Sequence, residues 1–159
     1  MIQGKLLSYG DDLSEVYNIR KKVFVDEMGV SEDIEFDGMD NEAIHVLVYE
    51  EASNTNNHES IKEKIPVATG RIEYKGDHCK IGHVAVLKEF RDLEFGDFTV
   101  KMLINRAFTA NVKIVTLTCK SEVEGFFYKV GFETESYNSN INEVHMKISE
   151  KDIKRACNR

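Results

Sequence analysis

The chain has 159 residues, of which 42% are hydrophobic, and this size and composition suit one domain with one core. The 21 Lys and Arg residues against 28 Asp and Glu give a formal net charge of −7, which disfavours nucleic acid and anionic membrane surfaces as partners and favours a small cation. No apolar stretch reaches the roughly 18 residues of a membrane span, and the first residues lack the apolar segment of a signal peptide. We therefore predict a single domain over residues 1–159 that is cytoplasmic and binds neither nucleic acid nor membrane.

The cysteines and histidines do not form a recognisable metal or disulfide pattern. Cys79, Cys119 and Cys157 are widely spaced, and no two of the five histidines are four residues apart. A disulfide framework or a zinc site needs closer, paired spacings. We predict free thiols and no metal site.

In the first half of the chain, one helix precedes a group of strands. Apolar residues at helical spacing predict a helix over residues 12–28, with Asp12 and Glu15 as a capping-box-like start. The polar interval 51–64 predicts a loop between two strands, and residues 75–77 predict a hairpin turn. Three short segments rich in β-branched residues favour strands: residues 43–50, 67–74 and 79–87.

In the second half, helices alternate with strands. Residues 97–110 predict a helix, residues 114–118 and 143–148 predict strands, and Ser121 with Glu124 predicts a capped helix that ends before Gly131. A run of hairpin-connected strands followed by this alternation predicts an α+β fold with a mixed, largely antiparallel sheet covered by helices. The inward stripe of the helix over residues 97–110 is expected to consist of Val100, Leu103, Ile104, Ala107 and Phe108.

Two segments carry candidate chemistry. In the first, a strand ends in a loop that contains Arg91 and Gly96, and a helix follows at once. Unpaired amides at a helix N-terminus attract anions, so a phosphate suits this loop, although an ordinary strand-to-helix turn has the same pattern. In the second, residues 115–132 form a strand and then a helix that carries Phe127 and Tyr128, which could equally be plain core packing.

Together and in this order, the two segments resemble the GNAT acetyltransferase superfamily. Its phosphate loop, R/Q-x-x-G-x-G/A, follows a V-A-V type strand, and a later helix carries F-Y-x-x-x-G-F. The matching residues are Val84-Ala85-Val86, Arg91 to Gly96, and Phe127-Tyr128 with Gly131-Phe132. The N-terminal part looks like the ElaA/YjcF-like branch, whose E-x-D-x-x-D segment and histidine-bearing strand are matched by Glu27, Glu35, Asp37, Asp40 and His45.

This resemblance implies direct transfer of an acetyl group from acetyl-coenzyme A to a small amine in a ternary complex. It implies that a backbone N–H near Val86 polarises the thioester carbonyl. The residues expected to bind the coenzyme are Val84, Ala85, Val86, Arg91, Asp92, Leu93, Glu94, Phe95, Gly96, Asp97, Ser121, Phe127 and Tyr128.

The resemblance also implies catalytic roles. Tyr128 is the expected acid for the departing thiolate, and Glu27, Glu35 or His45 is the expected proton acceptor for the amine. The acidic residues also fit a solvated loop, and His45 also fits a core histidine. His83 occupies a position where the branch often has arginine and faces either the coenzyme or solvent. Cys119 is predicted to be a structural thiol rather than a nucleophile, because no histidine is adjacent to it in the sequence.

One departure from the family pattern concerns the phosphate loop. Glu94 replaces the first loop glycine, and Asp92 and Asp97 flank it. A carboxylate about 6 Å from a phosphate charge costs roughly 3 kcal/mol at an effective dielectric of 20, and below about 1 kcal/mol if solvent intervenes. A positive φ at Glu94 would add about 1 kcal/mol. We predict weakened coenzyme binding.

Alternative functions follow from the same observations. A non-catalytic GNAT-like binding or regulatory domain is the second hypothesis. A relative that uses a long acyl chain, such as a signal synthase, is the third, but no extra segment of the sequence provides an acyl channel. A homodimer remains open, because residues 137–144 are available to pair with a second copy.

Overall fold

A computed structural model describes residues 1–54 and 61–152 of the chain. These residues form a seven-stranded sheet with the strand order β1-β2-β3-β4-β5-β7-β6. The strands are β1 (Ile2–Leu7), β2 (Ile44–Asn54), β3 (Ile61–Lys75), β4 (His78–Val86), β5 (Ile114–Lys120), β6 (Glu133–Asn138) and β7 (Glu143–Ser149). The described helices are α1 (Ser14–Arg20), which continues as a π-helical segment (Lys21–Glu27), α2 (Glu32–Glu35), α3 (Phe95–Thr109) and α4 (Glu124–Val130).

The sheet is mixed and largely antiparallel, as predicted. β1 pairs antiparallel with β2, and β7 pairs antiparallel with both β5 and β6. β4 runs parallel to β5 and pairs with it from His78 to Lys80. Within residues 1–54 and 61–152, none of the helices is long and apolar enough to cross a membrane.

The described residues divide into two compact units. The first contains residues 1–54, 61–71 and 83–102, and the second contains residues 72–82 and 103–152. The single domain expected from the sequence remains a prediction.

The core of the first unit forms where α1 packs against β1, β2 and β4. Apolar side chains at helical spacing, such as Val16, Ile19 and Val23, are buried against Leu47 and Ala85. Burial of this face stabilises the helix far more than its intrinsic propensity does. The position of α1 also determines where Arg20, which is buried in the same helix, places its guanidinium group.

The start of α1 differs from the predicted capping box. The N-cap is Leu13, whose side chain makes no cap, while the Asp12 carboxylate accepts a hydrogen bond from the Ser14 N–H at 2.9 Å. Asp12 lies one residue too early to reach the amides of the first turn, so it forms a local turn instead. The predicted helix therefore begins at Ser14.

In the second unit, β5 and β7 bury alternate residues. Val115 and Leu117 on β5 are buried, as are Val144, Met146 and Ile148 on β7, which is the period-2 pattern of a half-buried sheet. α3 buries its predicted stripe at Val100, Leu103, Ile104 and Ala107, and Phe108 is partly buried.

The helix with the F-Y-x-x-x-G-F pattern ends as predicted and begins differently. Gly131 has φ +123°, a conformation that favours glycine, directly after α4. Ser121 does not cap α4: it opens a 3-10 turn (Ser121–Val123), and the N-cap is Val123 without a side-chain hydrogen bond. The predicted capping box is wrong because this extra turn separates Ser121 from the helix.

The strands next to the polar interval 51–64 are longer than predicted. β2 continues to Asn54 and β3 starts at Ile61, so the connection between them lies in residues 55–60, outside the described part of the chain. Strand pairing uses backbone groups, so polar residues can extend a strand beyond the core. On the β1 side of β2, for example, the Glu51 N–H donates to the Met1 carbonyl at 2.8 Å. Cys157 also lies outside the described residues.

Candidate active site

The loop between β4 and α3 places unpaired amides together, as the sequence predicted for residues 91–96. A 3-10 turn (Lys88–Phe90) leads from β4 to Arg91, and α3 starts at Phe95. The first intrahelical hydrogen bond runs from the Phe98 N–H to the Glu94 carbonyl at 3.0 Å. The amides of the three residues before Phe98 therefore have no carbonyl within the helix to bind, and the helix dipole adds positive charge at the same place.

The carboxylates of this loop differ in their surroundings. Asp97 is paired with Lys101 at 2.8 Å, so its charge is offset locally. Asp92 and Glu94 are exposed and line a shallow depression of about 550 Å³. The positive φ of the loop falls at Asp92, at +60°, and not at Glu94. Glu94 therefore adds a solvent-screened charge to the loop and no backbone strain.

Arg91 is engaged with Glu27. Its two terminal nitrogens contact the two carboxylate oxygens of Glu27, the Nη2–Oε2 distance being 2.8 Å, and its Nε donates to the Val86 carbonyl at 3.0 Å. The hydrogen bonds and charge of Arg91 lower the pKa of Glu27. Arg91 thus ties the loop to the end of the π-helical segment, and Glu27 is held as an ionised, weakly basic carboxylate.

A buried ion network in the first unit is centred on Arg20. Arg20 is 0% exposed. Its Nε donates to Glu35 Oε1 at 2.8 Å, its Nη1 to Asp40 Oδ1 at 2.6 Å and its Nη2 to the Glu35 carbonyl at 2.7 Å. One guanidinium therefore fixes both ends of the acidic segment from Glu35, the last residue of α2, to Asp40.

Arg71 on β3 completes this network from the sheet. Its Nη1 and Nη2 donate to Asp37 Oδ1 and Oδ2 at 2.9 and 2.8 Å, and its Nη1 also contacts Asp40 Oδ1 at 3.1 Å. These bonds hold the pKa of Asp37 well below its usual range. Burial raises the pKa of Asp40, but the hydrogen bonds and charges of Arg20 and Arg71 outweigh burial and lower it. The segment is an ordered ionic cluster and not a solvated loop.

We expect Asp37→Asn to reduce the dependence of stability on pH in acid. Because the folded-state pKa of Asp37 is lowered, the unfolded chain binds more protons at this residue between the two pKa values. The stabilising contribution is thus present above about pH 4 and is lost as the pH falls through the folded-state pKa. Urea unfolding between about pH 7 and pH 2 measures this slope. Asp33→Asn, at an exposed carboxylate of α2, is the control, and an unchanged slope in D37N would contradict the prediction.

The two histidines of the first unit have different roles in the network. His45 is 1% exposed, and its Nε2 lies 2.9 Å from the Asp40 carbonyl, so Nε2 carries the proton. Burial lowers the pKa of His45, and it is a neutral core histidine. The His83 side chain is 19% exposed, and its Nδ1 lies 2.7 Å from Glu35 Oε1. Its ring meets Phe24 of the π-helical segment edge to face, with the centroids 6.2 Å apart.

In the second unit, Tyr128 and Phe127 separate into exposed and buried positions. Tyr128 is 69% exposed, whereas Phe127 is buried and packs edge to face on Phe132 at a centroid distance of 6.0 Å. Plain core packing, the alternative given for this pair, therefore describes Phe127 and does not describe Tyr128. Ser121 is partly buried at the start of its 3-10 turn.

The described cysteines are free and protonated. Cys119 Sγ lies 3.9 Å from Met146 Sδ, and burial and Glu124 raise the pKa of its thiol. Burial raises the pKa of Cys79 to about 12. Neither thiol has the lowered pKa of an activated nucleophile.

The sequence identified the acidic members of the network but missed the basic ones. Glu27, Glu35, Asp37, Asp40 and His45 were matched as a set. The structure brings the last four together, whereas Glu27 pairs with Arg91. Arg20, Arg71 and His83 were not predicted as site residues. The available signal for Arg20 was its place in the apolar stripe of α1, four residues after Val16, where a buried cation requires carboxylate partners.

The fold is that of known acyltransferases. The structure of an acyl-CoA N-acyltransferase from Pseudomonas aeruginosa superimposes with a TM-score of 0.74 at 16% identity, covering 94% of this chain and 100% of that chain. Escherichia coli ElaA superimposes with a TM-score of 0.69 at 22% identity, covering 92% and 99%. The Bacillus subtilis (strain 168) protein named uncharacterized N-acetyltransferase YjcF is 28% identical over 126 residues, covering 79% of this chain and 81% of its own. The chain matches no protein-family model.

These similarities confirm the predicted resemblance to the GNAT superfamily. The chain has the GNAT N-acyltransferase fold, with a seven-stranded, mostly antiparallel sheet and helices. ElaA is among the proteins of similar structure, and YjcF is among the proteins of similar sequence.

Proposed function

We propose that the protein is an N-acetyltransferase that moves an acetyl group from acetyl-coenzyme A to a small amine, directly and in a ternary complex, within a single domain over residues 1–159. The observation that carries this proposal is the group of unpaired amides at the start of α3, directly after the Val84-Ala85-Val86 strand. Such a group is a natural site for the diphosphate of a coenzyme.

The loop residues fit this donor substrate. Backbone amides of Phe95, Gly96 and Asp97 would bind the diphosphate, and Lys101 offsets the charge of Asp97. Arg91 would act by holding the loop in place through Glu27 and the Val86 carbonyl. Asp92 and Glu94 oppose binding, but their exposure to solvent keeps the repulsion small.

We expect Glu94→Gly and Glu94→Gln each to strengthen acetyl-coenzyme A binding by up to about fivefold, the equivalent of roughly 1 kcal/mol. Both variants remove the charge, and glutamine keeps the side-chain length, so equal gains would assign the effect to charge. Calorimetry with acetyl-coenzyme A measures the affinity, and Glu89→Gln, at an exposed carboxylate of the preceding turn, is the control. Unchanged affinity in both variants would show that Glu94 does not face the phosphates.

The chemistry needs a deprotonated amine and an acid for the leaving thiolate. A primary amine with a pKa near 10 is almost wholly protonated at neutral pH, so a proton acceptor is required. Of the three predicted acceptors, Glu27 is paired with Arg91, His45 is buried, and Glu35 is buried against Arg20 and His83. The exposed phenol of Tyr128 is the proposed acid.

The charge of the first unit favours a cationic acceptor. The network contains three carboxylates, from Glu35, Asp37 and Asp40, against two guanidinium groups, from Arg20 and Arg71. These five groups leave one excess negative charge, and the whole chain carries −7. Such a field concentrates cations near the site.

A thiol-release assay tests the proposal. Acetyl-coenzyme A is supplied with a panel of polyamines, amino sugars and amino acids, and coenzyme binding is measured in parallel by calorimetry and thermal shift. Release of thiol with at least one amine is expected. Coenzyme binding without thiol release with any of the amines would contradict the proposed acetyltransferase activity. Absence of both at millimolar coenzyme would support the second candidate, a non-catalytic binding or regulatory domain, which the exposed carboxylates of Asp92 and Glu94 favour.

Two further expectations remain proposals. β6 is the last strand in the sheet order and all its residues are exposed, and an edge of this kind supports pairing with a second copy in a homodimer. The proposed activity also suits the predicted cytoplasmic location, where acetyl-coenzyme A would be available.

A further inference from the structure

We propose that His83 is the residue that takes the proton from the acceptor amine, with Asp37 binding the same ammonium group and Glu35 acting as the positioning residue. This inference rests on the proposed function. It differs from the sequence-based candidates Glu27, Glu35 and His45. None of these is both exposed to solvent and able to offer a basic atom that no other residue already binds.

The hydrogen bond to Glu35 determines the tautomer of His83. Nδ1 lies 2.7 Å from Glu35 Oε1, and an ionised carboxylate only accepts hydrogen bonds. Nδ1 must therefore carry the proton, which leaves the lone pair of a neutral ring on Nε2. The carboxylate–histidine pair is the usual means of presenting a basic imidazole nitrogen to a substrate.

Glu35 is itself fixed and cannot serve in place of His83. Its side chain is 6% exposed, and Arg20 Nε donates to the same oxygen, Oε1, at 2.8 Å. Arg20 Nη2 also binds the Glu35 carbonyl. Glu35 therefore acts on the substrate only through the ring of His83.

The position of Nε2 suits contact with an amine. Nε2 lies 3.8 Å from Asp37 Oδ2, which is too long for a direct hydrogen bond. An ammonium nitrogen about 2.8 Å from both atoms could donate one proton to each. The side chains of His83 and Asp37 are 19% and 34% exposed, so both can be reached from solvent.

The backbone of β4 also turns unusually at this residue. His83 has φ +49°, in the left-handed region that few non-glycine residues adopt, directly before the Val84-Ala85-Val86 strand. Strain of this kind persists where the surrounding structure holds it, and it is frequent at functional sites. The residue with this strained backbone, His83, is the same residue whose ring contacts Glu35.

The charged groups around His83 are two carboxylates and two guanidinium groups. Glu35 and Asp37 face the ring, Arg20 Nη2 lies 3.4 Å from Nδ1, and Arg71 binds the far side of Asp37. The one excess negative charge of the network becomes zero when His83 gains a proton. Proton transfer from the amine to His83 therefore moves one positive charge into a network that has one excess negative charge.

The proton balance of the reaction is complete with these groups. The ammonium has three protons and the amide product keeps one. One proton moves to His83 Nε2, and the nitrogen lone pair then forms the C–N bond. The second leaves the nitrogen as the tetrahedral intermediate collapses and the C–S bond breaks, and it replaces the proton that Tyr128 gives to the sulfur. His83 finally releases its proton to solvent.

The test compares His83→Gln with wild type across pH. We expect kcat/KM to fall by about 10²- to 10³-fold and its remaining rise with pH to follow deprotonation of the amine alone, while acetyl-coenzyme A affinity stays unchanged. Glu35→Gln should lower kcat but keep the rise with pH. His145→Gln, at an exposed histidine of the second unit, is the control and should match wild type.

A measurement on the wild-type protein keeps the test independent of variant folding. Two-dimensional ¹H–¹⁵N spectra of the imidazole report the tautomer, and we expect Nδ1–H for neutral His83. An Nε2–H tautomer, or an active H83Q with an unchanged pH profile, would overturn this inference and leave the proposed function intact. A wild-type protein that releases no thiol with any amine would overturn the proposed function and this inference with it.

Discussion

Replacing Arg20 by methionine is expected to lower the free energy of unfolding by about 3–5 kcal/mol, because it leaves buried carboxylates without their partner. Arg20 makes two side-chain ion pairs and one backbone hydrogen bond, and no part of it is exposed to solvent. Methionine fills similar space, so the loss comes from the charge that Arg20 no longer offsets and not from a cavity. Without Arg20, and among the described residues, the Glu35 carboxylate keeps only His83 as a hydrogen-bond partner, and the Asp40 carboxylate keeps only Arg71. The expected loss is a large fraction of the stability of a domain of this size.

Urea denaturation at neutral pH measures this loss, with Lys21→Met as the matched control. Lys21 is the next residue and makes an exposed ion pair with Glu32 at 3.5 Å, so its replacement should cost less than about 0.5 kcal/mol. Adding Glu35→Gln to R20M should recover part of the loss, because it removes one of the buried charges that Arg20 offsets. A loss below about 1 kcal/mol in R20M would show that the network is not held by Arg20.

Replacing Tyr128 by phenylalanine is expected to lower kcat by about 10²-fold and to leave acetyl-coenzyme A affinity nearly unchanged. The change removes only the hydroxyl group, and the proposed role of this hydroxyl is to protonate the departing thiolate. Because the phenol is 69% exposed, its loss should leave stability within about 0.5 kcal/mol. The effect should therefore fall on the chemical step alone.

Steady-state thiol release and calorimetry with the coenzyme separate these quantities. Tyr137→Phe is the control. Tyr137 is also exposed, and its hydroxyl donates to Asn142 Oδ1 at 3.1 Å. It lies on β6, which has no proposed role in catalysis. Equal turnover in Y128F and wild type would remove Tyr128 from the acid role, while a matched loss in Y137F would point to a general effect on folding.

Elements with a strong local pattern could be predicted from the sequence. The β-branched runs that became β2, β3 and β4, the inward stripe of α3 and the glycine after α4 all depend on neighbours within a few residues. The sequence could not predict β6, because each residue of ETESYN is exposed and carries no alternation. That strand forms because its backbone pairs with β7, and backbone pairing leaves no mark in hydrophobicity.

The site shows the same division. The loop after β4 was predicted because a strand, an arginine and a helix start are adjacent in the chain, and that adjacency also determined the resemblance to the GNAT superfamily. The partners within the ion network lie 15 residues apart for Arg20 and Glu35, 34 for Arg71 and Asp37, and 48 for His83 and Glu35. No local spacing encodes contacts of that range.

The sequence by itself therefore determined the mixed sheet, the loop between β4 and the start of α3, and an acidic segment before a histidine-bearing strand. Only the tertiary structure decided that Glu27 neutralises Arg91, that His45 is a core residue and that His83 Nε2 lies 3.8 Å from Asp37 Oδ2. The physical reason is that the chemistry of an ionisable side chain depends on its burial and on the charges that surround it. Both are set by the packing of α1, α2, β3 and β4, which brings together residues that are distant in the chain.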